Sequence, residues 1–135
     1  MMKKPIPTEH EEQAAVVRWF DATCVGRIYA IPNGGTRSHA YTAQLHAEGM
    51  RTGAPDLVIA LPNGRVLWIE MKRASRHMSH VSDAQRLEHS LLTTLGHEVH
   101  VCYGADEAIS VITAAVEPMR PSVAQVLAVE EITKK

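Results

Sequence analysis

Two runs of strand-forming residues, Asp56-Leu57-Val58-Ile59-Ala60-Leu61 and Arg65-Val66-Leu67-Trp68-Ile69-Glu70-Met71-Lys72, are separated by only Pro62-Asn63-Gly64. So short a link makes an antiparallel hairpin the economical solution. Pro62 suits the first central turn position and Asn63 the second. Gly64 then takes a left-handed bulge position, which completes a three-residue loop. That loop pairs Leu61 with Arg65 and, counting back, Asp56 with Glu70. A two-residue Asn-Gly loop would pair Asp56 with Met71 and turn Glu70 to the other face, because strand side chains alternate. The bulged form accounts for both Pro62 and Gly64 and is the expected register.

In that register two carboxylates face each other at the open end of the hairpin, with Val58, Ala60, Val66 and Trp68 on the same face. Cβ atoms of such a pair lie about 5 Å apart, where like charges repel. Protonating one carboxyl relieves the repulsion, and so does a cation between them; a hard divalent ion with oxygen ligands is well suited. Lys72 follows Glu70 by two residues and shares its face. A fixed ammonium beside such an ion is what an attacking water or a phosphate in transit requires. Without an ion, Glu70 and Lys72 read as a strand-end ion pair.

The flanking sequence supplies a frame. Thr8-Glu9-His10-Glu11 has the form of a capping box and opens a helix to about Asp21, with Gln13, Val16, Val17 and Phe20 at helical spacing. Arg27 to Ile31 is a short strand stopped by Pro32-Asn33-Gly34-Gly35, and a second helix runs from Ser38 to Glu48, ending at Gly49. A basic, flexible stretch from Lys72 to His77 follows the hairpin. Ser82-Asp83-Ala84-Gln85 is a second capping box, opening a helix to about Leu95 with Leu87, Leu91 and Leu92 on its apolar side. His97 to Tyr103 alternates as a strand and Ala105 to Val116 is helical. Beyond Pro118 and Pro121, Val123, Val126 and Leu127 suggest a short helix. The order α-β-α-β-β-α-β-α predicts an α/β fold, a mixed four-stranded sheet flanked by helices.

Composition limits the function classes. The 135 residues suit one domain, residues 1–117, with a C-terminal tail over 118–135. Aromatics are 4%, so the core must come from Val, Ile, Leu, Ala and Met. Fourteen basic against fifteen acidic residues exclude coating nucleic acid by bulk charge; phosphate contacts need a local patch. Arg51, Arg73, Arg76 and Arg86 are candidates for it. Asn33-Gly34-Gly35-Thr36-Arg37-Ser38 is either an ordinary glycine turn or a loop whose N–H groups approach a phosphate, with Arg37 adding charge. Cys24 and Cys102 read as reduced core residues, and the eight histidines as surface or core groups with no zinc set. Met1-Met2-Lys3-Lys4 is not followed by an apolar leader and no run spans a bilayer, so a soluble cytoplasmic protein without a membrane partner is expected.

Together these motifs resemble the VRR-NUC (virus-type replication-repair nuclease) domain, a branch of the PD-(D/E)XK restriction-endonuclease-like phosphodiesterases. The resemblance lies in residues 8–13, 31–38, 49–56, 69–72 and 82–85, in order across residues 8 to about 110, and is to the small phage-encoded versions. It implies a restriction-endonuclease-like core and Mg²⁺ or Mn²⁺ dependence. It also implies an endonuclease acting on DNA, on structured or branched forms such as Holliday junctions, in the bacterial host cytoplasm if phage-encoded. Asp56 and Glu70 become metal ligands with the backbone carbonyl of Met71, and Lys72 orients the nucleophilic water. Gln85 falls on an active-site glutamine, besides its capping role. The first-helix acid falls on Glu9, four residues before Gln13, with Glu12 as competitor in the acidic run. One near-neutral subunit offers little basic surface for a duplex, so a homo-oligomer is expected, through the apolar tail. The alternative is a non-catalytic module that binds structured DNA on the same scaffold.

Overall fold

The computed structural model describes residues 4–32, 38–116 and 123–134. Its elements are α1 (Glu9–Thr23), β1 (Arg27–Ala30), α2 (His39–Ala47), β2 (Leu57–Ala60), β3 (Val66–Lys72), α3 (Asp83–Thr94), β4 (Glu98–Tyr103), α4 (Ala105–Val116) and α5 (Val123–Thr133). The sheet runs β1-β2-β3-β4, with β1, β2 and β3 antiparallel and β4 parallel to β3. This is the expected mixed sheet, and Val123–Thr133 of the tail is helical.

The central hairpin has the bulged register. Leu57 pairs with Ile69 and Ala60 with Val66, and the Leu61 N–H donates to the Arg65 carbonyl at 2.8 Å. One step further along, the same register sets Asp56 opposite Glu70. Pro62–Gly64 forms a single 3-10 turn in which both Asn63 (φ 63°) and Gly64 (φ 74°) are left-handed. The sequence reading reserved that conformation for Gly64. Asparagine also accepts it, because its short polar side chain can bond locally.

Both capping boxes form. Thr8 Oγ1 accepts from the Glu11 N–H and Glu11 Oε1 from the Thr8 N–H, each at 3.1 Å, and Ser82 and Gln85 repeat the arrangement at α3. Such caps each stabilise a helix by about 1 kcal/mol. One face of the hairpin carries Leu57, Ile59, Leu67, Ile69 and Met71, all fully buried against Val16 and Phe20 of α1 and Ala108 and Ile112 of α4. Each such side chain contributes roughly 1.5–3 kcal/mol on burial, enough to fix which face points inward. The alternate residues, including Trp68, Glu70 and Lys72, therefore face the other way, where α3 packs along β4.

Two expectations need correction. Leu87 and Leu91 of α3 are exposed and Leu92 is only half-buried, while Gln85, Glu88 and His89 are drawn partly inward. The reason is that this face of α3 lies over the charged end of the hairpin, where polar partners are needed more than apolar cover. The basic stretch is also more structured than expected: Arg76–Met78 forms a 3-10 turn, and the buried Ser79 hydroxyl accepts from the Arg73 N–H at 3.0 Å. Cys24 and Cys102 are free thiols. Asn33, Gly34, Arg37, Pro118 and Pro121 lie outside the described residues. No helix among those described is long and apolar enough to cross a membrane.

Candidate active site

The chemistry gathers at the open end of the hairpin. Asp56, just before β2, accepts the Met71 N–H on Oδ2 at 2.7 Å, which pins its carboxylate against β3. Met71 itself points its side chain into the core. Glu70, one residue back and on the opposite face, is 1% exposed. Glu9 stands in the first turn of α1, and one carboxylate oxygen from each of Glu9, Asp56 and Glu70 lies within 4.8 Å of the others. Glu12 is engaged elsewhere: it accepts the Ala105 N–H at the start of α4, where negative charge suits the helix dipole. Of the two competing acids in α1, Glu9 joins the cluster.

Electrostatics marks this spot as strained. Burial, and next the charge of Asp56, push the Glu70 carboxyl up to about 9. Burial and Asp56 also raise Glu9. Lys72 Nζ lies 3.8 Å from Glu70 Oε1 and offsets part of this. Gln85 links the two: its Oε1 accepts from Lys72 Nζ at 3.0 Å and its Nε2 donates to Glu70 Oε1 at 2.8 Å. The same Oε1 accepts the Ser82 N–H at 2.9 Å, so the capping contact and the contact with the site coexist in one amide. Gly53 (φ 88°) lets the loop before β2 approach that first turn of α3. A Cβ there would stand 2.4 Å from the Ala84 carbonyl carbon and oxygen.

Glu70 Oε2 is buried with no hydrogen-bond partner among the described residues, and a buried unpaired carboxylate oxygen costs on the order of 1–3 kcal/mol or more. Three oxygen donors, one of them orphaned and held in excess negative charge, fit a hard divalent cation such as Mg²⁺ or Mn²⁺.

The VRR-NUC domain profile matches residues 5–106. The chain belongs to the VRR-NUC nuclease family. A solved structure named "VRR_NUC domain protein" is 27% identical, covers 84% of this chain and 91% of its own, and superposes with a TM-score of 0.67. A second, named "VRR_NUC domain", is 22% identical with a TM-score of 0.56 over 79% of this chain and 97% of its own; it shares the fold. "Putative nuclease p44" of Acyrthosiphon pisum secondary endosymbiont phage 1 is 38% identical over 56 residues, 42% of this chain, and the match spans 57% of that relative.

In this VRR-NUC domain the candidate phosphate contacts Arg51, Arg73, Arg76 and Arg86 have partners within the chain. Arg73 donates to the carbonyls of Pro7 and Ile6 at 3.2 and 3.0 Å. Arg76 lies 4.0 Å over the Tyr103 ring and pairs with Glu107, while Arg86 pairs with Asp83. Arg51 donates to the carbonyls of His46 and Met50. None of them reaches the carboxylate cluster through a contact recorded among the described residues.

One neighbour of the cluster escaped the sequence reading. His89 Nε2 lies 3.6 Å from Glu70 Oε2, and burial is the chief cause that lowers the imidazole's pKa. Its spacing held the signal: it follows Gln85 by four residues and so shares that residue's helix face.

Proposed function

We propose that this VRR-NUC chain is a Mg²⁺- or Mn²⁺-dependent endonuclease that hydrolyses phosphodiester bonds in DNA, leaving 5′-phosphate and 3′-hydroxyl ends. Structured or branched DNA, such as a Holliday junction, is its preferred substrate. The observation that carries this reading is the convergence of Glu9, Asp56 and Glu70 beside the Lys72 ammonium. A bound Mg²⁺ or Mn²⁺ would supply a water of lowered pKa and neutralise charge developing on the phosphate.

The chain's own residues divide the remaining work. Asp56 and Glu70, with the Met71 carbonyl, would hold the ion, and Glu9 would hold it or its waters. Lys72 orients the attacking water and offsets negative charge in the transition state. Gln85, bonded to both Lys72 and Glu70, keeps ammonium and carboxylate in mutual position. Arg51, Arg73 and Arg76, with Asn33, Gly34 and Arg37, would contact backbone phosphates, which position a duplex without reading its sequence. Residues 1–117 form the nuclease domain, and the tail over 118–135 serves a homo-oligomer whose two sites would cut both strands of a junction.

The test is incubation of the purified chain with linear, flap and four-way-junction DNA, with Mg²⁺, with Mn²⁺ and with EDTA. Cleavage with either metal, strongest on the junction, and none in EDTA is expected. Activity that persists in EDTA would remove the metal from the mechanism. Junction binding without turnover in either metal would favour a binding module. Light scattering that finds only the single-chain mass at high concentration would remove the oligomer.

A further inference from the structure

Helix α3 faces Glu70 twice. Gln85 Nε2 donates to Glu70 Oε1 at 2.8 Å. One turn later, His89 Nε2 stands 3.6 Å from Glu70 Oε2. Those last two atoms are buried, and neither has a hydrogen-bond partner among the described residues. Two orphaned polar atoms that face each other across such a gap need only a small rotation of the imidazole or the carboxylate to bond. The last torsion of glutamate is broad and allows it.

We propose that His89 is a positioning residue for the metal-binding carboxylate, its Nε2–H donating to Glu70 Oε2 while Gln85 donates to Oε1. This rests on the metal site proposed above. Held at both oxygens by one rigid helix face, the carboxylate keeps its remaining lone pairs aimed at the ion. His89 is not itself a ligand: Glu9, Asp56 and Glu70 converge within 4.8 Å of one another, and the imidazole is not part of that group. Hydrogen-bond partners of metal ligands commonly control affinity in this way.

The test uses the full chain and three variants, His89→Gln, His89→Asn and His89→Leu. Glutamine carries an N–H about as far from the backbone as imidazole Nε2; asparagine falls short and leucine has none. Mn²⁺ affinity is read from the free-ion EPR signal during titration, beside a metal-free melt and a cleavage assay. His89→Asn and His89→Leu should bind Mn²⁺ about 10- to 100-fold more weakly, and His89→Gln should recover to within about threefold of the original. A role in packing alone would shift the melts and leave the affinities equal. His89→Gln and His89→Asn are both polar and compact, so their comparison stands even if His89→Leu does not fold. If the unaltered chain binds Mn²⁺ and cleaves DNA while all three variants match it, the positioning role is overturned and the nuclease reading survives. Nitrogen modulation from a ligated imidazole in the Mn²⁺ echo spectrum also overturns it. An unaltered chain that neither binds Mn²⁺ nor cleaves overturns both.

Discussion

At the Val66 end of β3, charge sits in the open and is matched. Arg65 Nη2 lies 2.6 Å from Glu98 Oε1, with side chains 31% and 41% exposed, and Arg65 Nη1 also donates to the Ala115 carbonyl at 2.7 Å. The Arg65 hydrogen bond holds the Glu98 carboxyl below its ordinary value. At the Lys72 end of the same strand, Glu70 is 1% exposed, one of its oxygens is orphaned, and burial with Asp56 pushes its carboxyl up to about 9. One end lets solvent and a partner settle its charges. The other buries one carboxylate beside two half-buried ones and, among the described residues, sets the Lys72 ammonium against them, an arrangement that costs stability until positive charge arrives. That contrast separates a structural ion pair from the cluster proposed to receive a cation.

The largest effect should come from the buried end. Lys72→Ala is expected to lower DNA cleavage by about 10²- to 10³-fold, and Glu70→Ala to at least a similar extent, with circular dichroism unchanged. Arg65→Ala should leave cleavage near the original rate. Undiminished cleavage by purified Lys72→Ala protein would erase the distinction between the two ends.

Next in size are effects on stability. Saturating Mg²⁺ or Mn²⁺ should raise the melting temperature of the unaltered chain, a gain of about 2.7 kcal/mol at a hundred times the dissociation constant, and should do little for Glu70→Gln. Without metal and near neutral pH, Glu70→Gln should be more stable than the original by on the order of 1–3 kcal/mol, because the amide is neutral without taking up the proton that the buried carboxyl must hold. The pH dependence has a definite sign. The folded chain holds a proton on Glu70 up to about 9, while an unfolded chain releases it near 4.5. This contribution is therefore full below the ordinary value and is lost as pH rises toward the folded one. Urea melts of the metal-free chain should show that decline, and Glu70→Gln should lack it. A metal-free Glu70→Gln protein that melts lower than the original would mean the carboxylate is already compensated.

These contrasts show how far residue patterns reach. The Pro62-Asn63-Gly64 loop settles the register, and with it the meeting of Asp56 and Glu70, because turn length and side-chain alternation are local rules. Leu87 and Leu91 were misplaced for the converse reason: apolar spacing marks a core face only when the opposing surface is apolar, and here it is the charged end of β3. Helical facing favours Glu9 over Glu12 but leaves Glu12 a competitor, since the N-terminus of α4, which takes Glu12, is supplied by residues 93 positions away. The arginines of the basic stretch looked free for the same reason, as Arg73 meets Pro7 and Ile6 only through the folded chain. His89 went unnoticed because one histidine among eight becomes distinctive only when its helix face is read against Glu70.

The smallest expected effect sits at the exposed end and tests whether the two ends are independent. Glu98→Gln breaks a partly solvated pair and should cost no more than about 1 kcal/mol, less at high salt, with cleavage unchanged. Its pH signature runs opposite to that of Glu70. A carboxyl held below its ordinary value of 4.5 stabilises the fold above that value and loses the contribution as pH falls through the lowered one. In the metal-free Glu70→Gln background the acid-side loss should therefore remain while the share of the decline that Glu70 contributes disappears, and adding Glu98→Gln should remove the share of the acid-side loss that Glu98 contributes, leaving that of Glu11. The two substitutions share no partner among the described residues, so their stability effects should add within about 0.5 kcal/mol. A larger deviation, or a fall in cleavage from Glu98→Gln alone, would show that β3 transmits charge from one end to the other and that the exposed pair also tunes the site.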